Sequence, residues 1–163
     1  MKKNLLIILI ITITNTYSQT KKETYEYLNE KIGIYNLEKP NLKYYYLIQE
    51  VVIDNKEHIN FLDFCTVGSI TPLVTVYFFE PKDYTAIVNK DKSESIWIEI
   101  YCKYNSIERQ DVDFKTKERT QKKPTSKIEI VLGKDTPPEV INKIEKAFIH
   151  LLKLYGVEKK EKF

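Results

Sequence analysis

The side chains with the clearest potential for chemistry are aromatic rings placed beside a carboxylate on one predicted strand. Trp97 and Tyr101 flank Glu99 at every second position, so we expect the three side chains on the same strand face. Tyr45 belongs to a run of three tyrosines in an earlier strand. Rings beside a carboxylate can stack on a sugar or hold a peptide. We therefore predict a ligand site at Trp97, Glu99, Tyr101 and Tyr45; the alternative is that another element covers this face.

Side chains suited to catalysis are scarce. The two histidines, His58 and His150, lack a partner at a matching spacing, and His150 is predicted on the solvent side of a helix. Asp111 and Asp113 share one strand face, as expected of solvent-facing residues rather than of an acid and a base across a cleft. Ser69 lacks the second glycine of a nucleophile elbow. The sequence therefore predicts no catalytic residue, no metal site and no cofactor.

The two cysteines, Cys65 and Cys102, both lie in strand-like segments. In an oxidising compartment an even number of cysteines favours a disulfide. The alternative is a pair of separate buried thiols that pack as small apolar side chains. The sequence is compatible with both arrangements.

A basic stretch follows the pair of aspartates. It is a candidate contact for an anionic surface such as lipid head groups, and the alternative is a charged hairpin tip that protects a strand edge from aggregation. Aromatic side chains do not alternate with these cations, so no nucleic-acid partner is predicted. The patch comprises Lys115, Lys117, Arg119, Lys122 and Lys123.

The first 18 residues have the three parts of a secretory signal peptide. A basic start precedes the apolar run at 5–13, and the small residues Thr16 and Ser18 predict cleavage before Gln19. The apolar run is much shorter than the roughly 20 residues that a membrane-spanning helix needs. We therefore predict export to the periplasm or the exterior, with no transmembrane anchor after cleavage. Loss of the two lysines in the signal leaves the chain nearly neutral, so the overall positive charge indicates no nucleic-acid partner.

The predicted elements are two helices separated by about seven strands. Thr20 and Glu23 have the spacing of a capping box, and Gly33 suits a left-handed end, which predicts a helix over 21–32. A second capping box, Thr136 to Glu139, precedes a strongly amphipathic helix that Gly156 ends. Alternation and β-branched content predict strands at 43–53, 57–66, 73–80, 84–89, 95–104, 107–118 and 126–132.

This element order predicts one α+β domain over 19–156, followed by a charged tail at 157–163. The expected architecture is an antiparallel sheet or partly open barrel, with a short N-terminal helix and a C-terminal helix packed on the sheet. Strands followed by one amphipathic helix resemble the pleckstrin-homology-like barrel, whose last helix closes one open end. The resemblance covers most of 43–155, rests on element order, and implies a fold rather than a function. A cystatin- or lipocalin-like curved sheet is the alternative.

Together these features favour an exported, non-catalytic domain. It is expected to bind an unknown protein, glycan or small ligand through a sheet face or a barrel mouth. One alternative is a structural, envelope-associated protein without a small ligand. The other is a hydrolase whose site has no recognisable motif.

Overall fold

The computed structural model describes residues 19–39, 42–67, 73–113 and 115–158. The predicted signal peptide at 1–18, Ser69, and the tail residues 159–163 lie outside the described residues. The two helices in the described part are α1, Lys21–Tyr35, and α2, Pro138–Leu154. The strands there are β1 Glu38–Lys39, β2 Leu42–Ile53, β3 Lys56–Val67, β4 Leu73–Phe79, β5 Tyr84–Lys92, β6 Ser95–Cys102, β7 Ile107–Asp113, β8 Lys123–Thr125 and β9 Lys127–Gly133.

The start of α1 is fixed by the predicted capping box, which is confirmed. The Glu23 amide donates to Thr20 Oγ1 at 3.2 Å, and the Thr20 amide donates to Glu23 Oε2 at 2.8 Å. The predicted end at Gly33 is wrong, because the helix continues to Tyr35. The Tyr35 ring packs against the core and thereby retains the last turn.

The start of α2 differs from the prediction. The N-cap is Pro137, which makes no side-chain cap, and Pro138 takes the first helical position. The Thr136 hydroxyl donates instead to the Gly133 carbonyl at 2.7 Å, so the predicted second capping box is wrong. The end at Gly156 is as predicted, since this glycine has a φ of 76° just beyond the helix.

The strands form two antiparallel sheets, which confirms the predicted α+β class. The six-stranded sheet has the order β1-β2-β3-β4-β7-β8, and the three-stranded sheet has the order β5-β6-β9. Asp54 and Asn55 join β2 to β3 with φ values of 51° and 60°, the signature of a tight hairpin turn. The short strands β1 and β8 were not predicted, because two or three residues carry no alternation.

The core is a single cluster to which both helices and both sheets contribute. On β6 the predicted alternation holds, since Ile96, Ile98 and Ile100 are buried in this cluster. The face of α2 predicted to be apolar lies against the same residues. The largest fully buried side chains of the cluster are Phe61, Phe79, Phe148, Leu28, Ile32, Ile48, Ile59, Ile98, Ile100, Ile107, Ile128 and Ile130.

The Phe148→Ala substitution tests this arrangement. Phe148 is fully buried on α2, so the cavity left by its ring is expected to lower the free energy of unfolding by about 3–5 kcal/mol. Lys153→Ala, an exposed change on the same helix, is the matched control and is expected to stay within about 0.5 kcal/mol of wild type. Urea unfolding measures both. Equal stability of the two variants would contradict the core described here.

Candidate functional site

The carboxylate of the predicted aromatic site is already paired with side chains of the protein itself. Glu99 is 1 % exposed, and Lys90 Nζ lies 2.5 Å from its Oε2 while Lys127 Nζ lies 3.3 Å from its Oε1. The Tyr101 hydroxyl donates to the same carboxylate. Burial raises the pKa of Glu99, but the hydrogen bonds from Lys90, Tyr101 and Lys127 outweigh it and lower the pKa to about 2. Glu99 is therefore a satisfied, ionised group.

The aromatic members of the predicted site are divided between the two sheets, with Trp97 and Tyr101 on β6 and Tyr45 on β2. Trp97 donates its indole N–H to Ser95 Oγ at 2.7 Å, and Lys92 Nζ lies 3.1 Å from the centre of its ring. Tyr45 lies on β2, in the other sheet, and is 45 % exposed. The binding role of Trp97, Glu99, Tyr101 and Tyr45 stays a prediction. Glu99 and Tyr101 are already hydrogen-bonded to each other, and Trp97 already contacts a lysine.

The two aspartates considered as acid and base have local structural partners. Asp111 accepts a hydrogen bond from the Thr75 hydroxyl at 2.8 Å and pairs with Arg109 at 3.2 Å. Asp113 Oδ1 accepts the amides of Lys115 and Thr116 at 2.8 and 2.9 Å, which closes the turn after β7. These contacts stabilise a strand and a turn.

Lys122 and Lys123 of the basic patch lie at an exposed strand edge. Lys122 pairs with Glu108 at 2.5 Å. Lys123 starts the edge strand β8, and a charge on an edge strand hinders its pairing with another chain.

Cys102 is a free, buried thiol, and burial raises its pKa to about 12. Cys65 lies on β3 in the other sheet, and its side chain lies outside the described part of the chain.

A polar cluster on the inner face of the six-stranded sheet was missed by sequence reasoning. The strand register places Asp63, Thr75 and Asp111 side by side on β3, β4 and β7. Among the described residues no donor reaches the buried Oδ1 of Asp63. Burial raises the pKa of Asp63 to about 7; Arg109 opposes this rise, and the Glu129 and Asp111 carboxylates add to it. Asp63 is therefore a carboxyl group that keeps its proton up to neutral pH.

A groove lies between the two helices. Its volume is about 610 Å³, within the range typical of small-molecule sites. One wall is a row at helical spacing on α1, namely Tyr27, Lys31 and Tyr35, which spans about 12 Å. The opposite wall, on α2, comprises Val140, Lys143, Lys146, Ala147 and His150.

The groove is strongly cationic. Lys31 and Lys143 face it from opposite helices, with Lys146 and His150 further along α2, and no acidic side chain of the described residues lines it. Lys31 has Glu30 as a partner at 2.7 Å. Lys143 and Lys146 have no carboxylate within ion-pair distance in the described part of the chain. The groove therefore presents positive charge that the fold itself does not neutralise.

The end of the groove is formed by the first described residue. His150 Nε2 lies 3.1 Å from the Gln19 carbonyl oxygen, and since a carbonyl only accepts, Nε2 carries the hydrogen in this contact. His150 was predicted to be a solvated helix residue. It is half-buried and lines the groove instead, because α1 lies against α2 and brings Gln19 next to it.

Comparisons with known proteins give no match: no family model, no curated protein and no solved structure is significantly similar to this chain. The resemblance to a pleckstrin-homology-like barrel therefore stays a prediction. Neither described helix has both the length and the apolar character that crossing a membrane requires. No cluster of three potential metal ligands occurs among the described residues.

The Glu99→Gln substitution tests whether the Glu99 cluster is structural. The folded-state pKa of about 2 lies below the ordinary value of 4.5, so ionised Glu99 stabilises the protein fully above about pH 4.5, and this contribution is lost as the pH falls through 2. The variant is expected to be less stable by about 2–3 kcal/mol at neutral pH and equal to wild type near pH 2.

The control for this experiment is Glu26→Gln, which removes the exposed Lys22–Glu26 pair, 3.8 Å apart. It is expected to change the stability by less than about 0.5 kcal/mol. Chemical denaturation at several pH values measures both variants. A Glu99→Gln variant as stable as wild type at neutral pH would leave the carboxylate available for a ligand.

The Asp63→Asn substitution tests the raised pKa of Asp63. The folded protein keeps this proton up to about pH 7, whereas the unfolded chain releases it near 3.8. The wild-type free energy of unfolding therefore falls, relative to the variant, as the pH rises from about 4 to 7. At about 1.4 kcal/mol per pKa unit, the variant is expected to be a few kcal/mol more stable near pH 8. A difference that does not change with pH would contradict the raised pKa.

Proposed function

We propose that this protein is an exported, non-catalytic binding domain that holds an anionic ligand in the groove between α1 and α2. The observation that carries the proposal is the unneutralised positive charge of Lys143 and Lys146 in a groove of about 610 Å³. Lys31, Lys143 and Lys146 line it, and no acidic side chain of the described residues does so. Such a site favours a ligand that supplies the missing negative charge.

The shape and lining of the groove narrow the class of ligand that it suits. The rings of Tyr27 and Tyr35 and the side chains of Val140 and Ala147 supply apolar contact between the cations. The walls are about 12 Å long on α1 and about 15 Å on α2, at 1.5 Å per residue. An elongated organic anion, with one acidic group and an alkyl or aromatic body, matches both features better than a compact inorganic ion.

Export is the second part of the proposal. It rests on the basic start, the apolar run and the small residues before Gln19. α1 begins with its own cap at Thr20, two residues after the predicted cleavage site. The groove is therefore assembled by the exported part of the chain.

The groove favours a binding domain over a structural envelope protein. A structural protein needs no unpaired cations beside tyrosine rings, whereas a binding domain gains stability when a ligand occupies them. The hydrolase alternative has less support, because Asp111 and Asp113 are engaged by Thr75 and by turn amides.

Dodecanoate, an elongated carboxylate, is the probe that tests this function. Calorimetric titration of the chain that begins at Gln19 is expected to show saturable binding to dodecanoate, and much weaker binding to the uncharged dodecanol. Lys143→Ala and Lys146→Ala are each expected to weaken dodecanoate binding about three- to five-fold, as the loss of one partly exposed ion pair implies.

Lys153→Ala is the matched control, because Lys153 is an exposed lysine of the same helix that does not line the groove. It removes the same net charge, so a general electrostatic effect would weaken all three variants equally. Such an equal effect, or equal affinity for dodecanoate and dodecanol, would contradict an anion site in the groove.

A further inference from the structure

We infer that removal of residues 1–18 completes the groove, because the new α-ammonium group of Gln19 becomes an additional cation of the anion site. This inference rests on the proposed function, and it concerns how the same site is switched on. It predicts that the precursor binds the anion more weakly than the mature chain does.

Gln19 lies at the His150 end of the groove. Its backbone carbonyl contacts His150 Nε2 at 3.1 Å, and Gln19 itself lines the groove. The backbone nitrogen of the same residue therefore lies at the His150 end of the groove. In the precursor this nitrogen is a neutral amide, whereas after cleavage it is an amine whose ordinary pKa is about 7.7–8.0.

The residues that follow hold Gln19 in place. The Thr20 amide donates to Glu23 Oε2 at 2.8 Å, and the Thr24 hydroxyl donates to the Thr20 carbonyl at 2.9 Å. Together with the His150 contact, these bonds hold the Gln19–Thr20 peptide in place. The new terminus is separated from this peptide by one rotatable backbone bond, so its charge stays close to the His150 end of the groove with a modest loss of conformational entropy.

The charged groups near the terminus have both signs: the Glu23 carboxylate accepts the Thr20 amide at 2.8 Å, and the side chains that line the groove are cationic or neutral. Lys31 belongs to α1, and Lys143, Lys146 and His150 belong to α2. The lysines disfavour the ammonium form in the absence of ligand, whereas the Glu23 carboxylate and a bound anion favour it. Anion binding is therefore expected to weaken as the pH rises above about 8, where the α-amine loses its proton.

Gln19 also offers a way to remove this charge without changing any other residue. The α-amine of an N-terminal glutamine attacks its own side-chain carboxamide, which forms a lactam and releases one molecule of ammonia. The product keeps the backbone and the His150 contact but has no basic terminus. The same reaction in the exported protein would switch the site back to its weaker state.

Dodecanoate titration of matched chains tests the inference. The chain that begins at Gln19 is compared with its cyclised form, identified by the loss of ammonia in the intact mass, and with a chain that carries Gly-Ser before Gln19. The cyclised and extended chains are expected to bind about three- to five-fold more weakly, and the cyclised chain is expected to lose the weakening above pH 8.

Equal affinity of the Gln19, cyclised and extended chains would overturn the inference and leave the groove as an anion site. Failure of all of them to bind dodecanoate would overturn the proposed function as well. An exported protein whose intact mass shows a start at another residue would also overturn the inference. Thermal unfolding of each chain without ligand confirms that the comparison is made between equally folded proteins.

Discussion

The contact between α1 and α2 is the interaction on which both the fold and the candidate site depend. α1 buries Leu28 and Ile32 in the common core, and its Tyr25 hydroxyl is hydrogen-bonded to that of Tyr155 just beyond α2, at 2.8 Å. Lys21 adds a cation–π contact 3.9 Å from the centre of the Tyr155 ring. These contacts set α1 antiparallel to α2, with the start of one helix beside the end of the other. The groove is the space that remains between their outer faces.

The charges of the polar groups within the sheets are compensated inside the fold, whereas those of the lysines in the candidate site are not. Glu99 and Asp111 are polar groups within the sheets, and each is matched by cations or hydroxyl groups of the fold. Asp63 has no such match and holds a proton instead. In the groove the imbalance has the opposite sign, since Lys143 and Lys146 have no acidic partner in the described part of the chain. Because these lysines are solvated, this imbalance costs the fold little and leaves the charge available to a ligand.

Local patterns in the sequence were sufficient for most of the fold. The alternation at Ile96, Ile98 and Ile100, the capping box at Thr20 and the apolar stripe of α2 each determine an element through short-range geometry. The errors arise where tertiary contacts or a neighbouring proline override the local signal. Tyr35 extends α1 past Gly33 by packing on the core, and Pro137 takes the N-cap place expected for Thr136.

The groove could not be predicted, because it requires the pairing of helices that are more than 100 residues apart in the sequence. Its lysines and His150 have the spacing of an ordinary solvated helix face. One signal was present: Tyr27 and Tyr35 recur with Lys31 at intervals of four residues, beside the stripe formed by Leu28 and Ile32 rather than within it. Aromatic residues on the polar side of an amphipathic helix indicate a second contact surface.

A crystal structure of the chain that begins at Gln19, grown with dodecanoate, is the most direct test of the central claim. The carboxylate is expected to lie between α1 and α2, within hydrogen-bonding distance of Lys143 or Lys146, with the alkyl chain against Tyr27 or Tyr35. A groove that stays empty at saturating dodecanoate, or a ligand held only on a sheet face such as that of Trp97, would contradict it.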